Sequence, residues 1–205
     1  RKLHSNKEPD MTLLNKRLGL IATLALLPGL AQAHPGHDVS GLAAGITHPL
    51  MGMDHLLAMV AVGLCGAKLG GAARWLLPLL FVAVMLVGGA LAMAGVHLPG
   101  VELGIVGSVI VLGALLVVVQ RGQTAPVALL VAGFSLFHGY AHGAEMPAAA
   151  GALSYALGFA VATAALHAAG LFGGLWLQER KAARVVMGSL GALISLAGVG
   201  MAVGM

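Results

Sequence analysis

Charge is what this 205-residue chain lacks: Asp, Glu, Lys and Arg together make up 9% of it. A soluble domain carries about 25%. Aromatics are also scarce, at 4%, whereas 59% of the residues are apolar and the mean hydropathy is +0.96. A single soluble core could not hide so much Leu, Val, Ala and Gly, so the composition indicates an integral membrane protein. The one cysteine, Cys65, excludes an intrachain disulfide and a cysteine-built zinc site. It reads as a small apolar helix residue. A formal charge of +4 and a pI near 9.7 do not make a nucleic-acid binder, because the basic residues are few and scattered.

What is present begins with a leader. Lys16 and Arg17 precede an apolar run from Leu18 to Leu30, followed by Ala31-Gln32-Ala33. These are the charged region, apolar region and A-x-A site of a signal peptide. Residues 11–33 are expected to be cleaved, leaving His34 as the mature N-terminus, with residues 1–10 an upstream extension. The alternative is an uncleaved anchor over 18–33, although that run is short and broken by Pro28-Gly29. Residues 34–205 then form one all-α transmembrane bundle. Six spans are expected, near 40–66, 74–95, 101–119, 126–146, 150–177 and 183–204. About 20 apolar residues cross the hydrocarbon core. The breaks fall where turn residues and charges cluster: Gly70-Gly71, His97 to Gly100, Gln120 to Thr124, Met146-Pro147, and Gln178 to Arg184.

The positive charges test this topology. A cleaved leader puts His34 outside and makes loops one, three and five cytoplasmic. Those loops hold Lys68, Arg74, Arg121, Arg180, Lys181 and Arg184, which are every Lys and Arg after residue 33. That is the positive-inside pattern, and Trp75 and Trp176 fall at the same interface. Both termini are therefore expected in the periplasm, and the protein in the cytoplasmic (inner) membrane of a bacterium. Small residues, as in Gly41-x-x-x-Gly45 and Gly200-x-x-x-Gly204, let helices approach closely, within the bundle or in a homo-oligomer.

Ionisable residues inside a bilayer are costly and mark function. Here they are His48, Asp54, His55, His138, His142, Glu145 and His167, with Glu102 borderline at the outer end of span three. In Phe137 to Glu145, "FHGYAHGAE", His138, His142 and Glu145 stand at i, i+4 and i+7, one stripe of a helix. That stripe is half a site for a divalent metal, and imidazole suits Ni, Co, Cu and Zn. His48 and His55, seven apart, share a face of span one. Asp54 would reach a metal if the helix were distorted, or would orient a ligating imidazole from behind. Pro49 and Gly52 make a distortion available. His34 and His37 would add a metal catcher outside the membrane.

At 1.5 Å per residue, Glu145 and His142 are expected near the outer surface. His48 and His138 would lie about 10–20 Å below it, and His55 and His167 about 20–25 Å below. Such a ladder favours a permeation path. An intramembrane zinc hydrolase built on His138, His142 and His167 is the alternative reading.

With these residues in view, the chain resembles the HupE/UreJ family of nickel and cobalt permeases. The family pattern H-P-x-x-G-x-D-H-x-x-x-M is matched by His48, Pro49, Gly52, Asp54, His55 and Met59. "FHGYAHGAE" is similar to the second His-rich motif, and Leu166 to Gly170 is also typical. The resemblance covers essentially the whole mature chain. It implies uptake of Ni²⁺, or Co²⁺ in some relatives, as a transported substrate rather than a prosthetic group. It also implies an indirect link to the assembly of urease or [NiFe] hydrogenase. The ligands alone would hold Cu²⁺ or Zn²⁺ at least as well, so nickel rests on the resemblance.

Overall fold

The residues that punctuate the sequence also turn the chain in space. The computed structural model describes residues 41–146 and 151–205, and among these it contains helices and no strand. They are α1 (Gly41–Met51), α2 (Met53–Leu69), α3 (Ala73–Met93), α4 (Val101–Val118), α5 (Thr124–Ala144), α6 (Ala152–Gln178) and α7 (Ala183–Val203). The expected extension and signal peptide, with His34 and His37, lie outside the described residues. Gly70 and Gly71 take positive φ between α2 and α3, a conformation that only glycine adopts freely. Helices α3 to α7 are each long and apolar enough to cross a membrane. Helices α1 and α2 add a sixth crossing when counted as one broken span.

That bent pair occupies the stretch read as the first span, 40–66. Pro49 has no N–H to offer the preceding turn. Helix α1 stops at Met51, and Gly52 is extended, with φ −84° and ψ 115°. The two helix axes differ by 82°. Helix α2 then restarts on the Gly52 carbonyl, which accepts from the Leu56 N–H at 3.0 Å.

Glycine faces hold the bundle together. Helix α6 carries both helices of the bent pair: α1 packs on its first turns and α2 on its later ones. Gly45 abuts the backbone of Tyr155 and Phe159, and Gly63 abuts that of His167 and Leu171. Helices α3 and α5 run side by side, with Gly88 against Leu136 and Gly139 against Met85. Helix α7 crosses α4 where Gly113 meets Gly191 and Ser195. Lipid gives helices no hydrophobic reason to associate, so backbone proximity and dispersion must supply it. The outward faces are apolar, with Leu79, Leu103, Leu129 and Leu153 all exposed. A bilayer is the medium that tolerates them.

The two ends of the bundle differ. Where α2, α4 and α6 finish, Lys68 Nζ donates to the carbonyls of Leu116 at 2.6 Å and Val117 at 3.1 Å. Gln178 Nε2 donates to the Ala67 carbonyl at 2.7 Å, tying the third C-terminus in. The Arg180 guanidinium lies 4.3 Å from the centre of the Trp176 ring, a pairing suited to a membrane interface. The opposite end carries Asp54, Glu102 and Glu145 at the ends of α2, α4 and α5.

Candidate metal site

The break at Gly52 assigns His48 and His55 to different helices, and both still turn inward to α5. Asp54 sits in the first turn of α2, where a carboxylate complements the helix dipole. Its Oδ1 accepts from the backbone N–H of His55 at 2.7 Å and contacts His55 Nδ1 at 2.9 Å. A carboxylate oxygen accepts, so His55 donates from Nδ1 and keeps its lone pair on Nε2. That Nε2 is buried and has no hydrogen-bond partner among the described residues. Asp54 thus lies against the back of the His55 ring, the geometry an orienting support requires. Gly52 makes room for the pair: a Cβ there would lie 2.9 Å from Asp54 Oδ1 and 3.1 Å from His55 Nδ1. Gly52→Ala is therefore expected to displace the pair and weaken metal uptake about tenfold at limiting metal, the usual scale for a disturbed ligand support. Uptake assays at matched protein abundance check this.

Four imidazoles form a continuous row. Ring centres of His48 and His142 are 4.7 Å apart, those of His142 and His55 4.1 Å, and those of His55 and His138 4.5 Å. Three helices supply them: α1, α2 and α5. Above the row, a cavity of about 260 Å³ is lined by His48, Asp54, His55, Glu102 and Glu145, among others. At its mouth His48 Nε2 meets Glu145 Oε2 at 3.1 Å. The ligand atoms of His48, His142 and Glu145 all lie within 4.8 Å of one another. Donors about 2.1 Å from one ion are at most about 4.2 Å apart, so a small inward movement would close this trio on a cation. Both ring nitrogens of His142 are buried without partners among the described residues. Such orphaned polar atoms are uncommon and call for a ligand or water to explain them.

The row ends at Phe81 of α3. Its fully buried ring lies 5.7 Å from the centre of His138 and 5.0 Å from that of His167. Phe81 thus touches His167 as well as His138, while His167 makes no ring contact with another imidazole among the described residues. The trio His138, His142 and His167 is not assembled into one site, and the zinc-hydrolase reading has no support.

Comparison with known proteins agrees with the motifs. The sequence profile of the HupE / UreJ protein family matches residues 22–201. The chain belongs to the HupE/UreJ family. Protein HupE of Rhizobium leguminosarum bv. viciae is 45% identical over 185 residues, which cover 90% of this chain and 95% of that relative. No solved structure matches.

In this HupE/UreJ member the depth order differs from the expected ladder. His48 stands level with Glu145 at the mouth, and His55 lies between His142 and His138. The reason is the 82° bend, since a chain that turns sideways at Gly52 does not descend 1.5 Å per residue there. Glu102 proves to be part of the cavity wall. Two further residues carried no pattern that would have singled them out. Phe81 is one apolar residue in an apolar helix. Ser108, which contacts His138 Nε2 at 2.7 Å, is the lone hydroxyl of α4.

Proposed function

We propose that this chain carries Ni²⁺, with Co²⁺ as a second cargo, inward across the cytoplasmic membrane. The observation that carries this reading is the convergence of four imidazoles from three helices beneath a carboxylate-walled cavity. In this reading the signal peptide is removed, α1 and α2 form one broken crossing, both termini face the periplasm, and the basic end faces the cytoplasm. His34 and His37 would collect metal outside. Glu145, His48 and His142 would take it from water, with Glu102 adding negative potential. His55 and His138 would then bind it within the membrane, ahead of His167. Conduction requires a site that replaces part of the hydration shell yet still releases the ion, which suits a few ligands per stage with water completing the shell. A potential negative inside drives each charge by about 2.3 kcal/mol per 100 mV, and a dication by about twice that. The choice of nickel as cargo, and of a urease or [NiFe] hydrogenase as the enzyme supplied, rests on the family resemblance and not on the ligand set.

The test is uptake of radioactive nickel into vesicles containing the purified protein, with an imposed potential and with cobalt, zinc or copper as competitors. Saturable uptake that grows with the potential and is inhibited by cobalt is expected. Uptake no greater than in protein-free vesicles would overturn the assignment.

A further inference from the structure

The row of rings contains one imidazole whose orientation the motifs do not explain. His138 is fully buried, and its Nε2 lies 2.7 Å from Ser108 Oγ. Ser108 is itself fully buried, and its Oγ also lies 2.6 Å from the Ile105 carbonyl oxygen. A carbonyl only accepts, and a serine has a single hydroxyl hydrogen. That hydrogen goes to Ile105. The contact with His138 must then run the other way, with Nε2–H donating to Ser108 Oγ. A neutral imidazole protonated at Nε2 keeps its lone pair on Nδ1. The Nδ1 of His138 is buried and has no partner among the described residues, and the ring edge meets His55 at 4.5 Å between centres.

We propose that Ser108 is a positioning residue that fixes His138 as an Nδ1 ligand for the transported dication. This rests on the transport reading above. Asp54 fixes His55 in the complementary form, with Nε2 free. Two helices, α2 and α4, therefore each supply a support that decides which nitrogen of a neighbouring ring faces the metal. Each support fixes which ring nitrogen carries the hydrogen, so the other nitrogen's lone pair is left to face a cation. Unlike a carboxylate, the Ser108 hydroxyl supports the ring without adding charge, which leaves the inner stage with weaker hold than one backed by Asp54. Such a gradient is what release toward the far side needs.

The experiment uses full-length protein in lipid with ¹⁵N-labelled histidine, in wild type, Ser108→Ala, Ser108→Thr and His138→Gln. The last assigns the His138 signals by their loss. Wild type is expected to show His138 protonated at Nε2. Ser108→Ala is expected to lose that uniform state, and to raise the half-saturating nickel concentration about tenfold with a maximal rate within about twofold of wild type. Ser108→Thr, which keeps the hydroxyl, is expected to restore both. The positioning role is overturned if wild type carries the proton on Nδ1. It is also overturned if Ser108→Ala leaves the spectrum and the half-saturating concentration unchanged while His138→Gln impairs uptake. If His138→Gln itself takes up nickel as wild type does, His138 is no ligand; the transport assignment to this residue then fails, and the role of Ser108 fails with it.

Discussion

His55→Ala is expected to reduce nickel uptake at limiting concentration by about 100-fold, the upper end of the range for damage to a metal site. His55 is central in the row, in ring contact with both His142 and His138. Its removal therefore interrupts the row of rings as well as deleting a donor. Asp54→Asn should cost less, about tenfold, because the amide oxygen can still accept from Nδ1–H while the charge is lost. The order of the two effects is the informative part. A support should matter less than the donor it supports. The measurement is initial uptake at sub-saturating nickel, normalised to protein in the membrane. Wild-type uptake by His55→Ala would remove the row of imidazoles from the mechanism.

The second large effect concerns assembly rather than metal. Gly139→Val is expected to lower the folded protein in the membrane by at least about tenfold. A Cβ at this position would overlap the Met85 carbonyl of α3, which is backbone and has no rotamer to retreat into. Overpacking typically costs about 1–3 kcal/mol even where side chains can adjust, and here the helices themselves must separate. Gly133, on the same helix, is the control, because no atom lies within 4 Å of a Cβ built there. Gly133→Val should accumulate normally. Size-exclusion profiles and thermal unfolding in detergent would compare them, and equal behaviour of the two variants would refute the close-packing account of α3 and α5.

Much of the fold was legible because apolar runs and their interruptions are direct consequences of bilayer thickness. Helix α3 at Ala73–Met93 and α7 at Ala183–Val203 fall where runs bounded by glycine and by charge place them. His138 and His142 were legible because four residues make about one helical turn. The convergence of His48 and His55 was foreseen for an incomplete reason. Their spacing of seven suggested a common face, but an extended Gly52 separates them, and it is across the break that both reach His142. Depth was misjudged for the same cause, since a count of residues measures distance only along a straight helix. Ser108 and Phe81 escaped notice because a single hydroxyl or phenyl in an apolar helix has no periodicity to betray it. What distinguishes each is its neighbour on another helix, and that is tertiary information.

The phenyl ring that touches both His138 and His167 has a consequence for bioenergetics. Imidazoles linked by hydrogen bonds or by water hand protons along, since each can gain a hydrogen at one nitrogen and lose one at the other. An unbroken column of them would short-circuit the proton gradient of the membrane that holds it. Phe81, in ring contact with both His138 and His167, has neither a lone pair nor an exchangeable hydrogen and passes no proton between them. A ring of this kind beside two imidazoles would let a transporter hold nitrogen donors in an energised membrane without draining it.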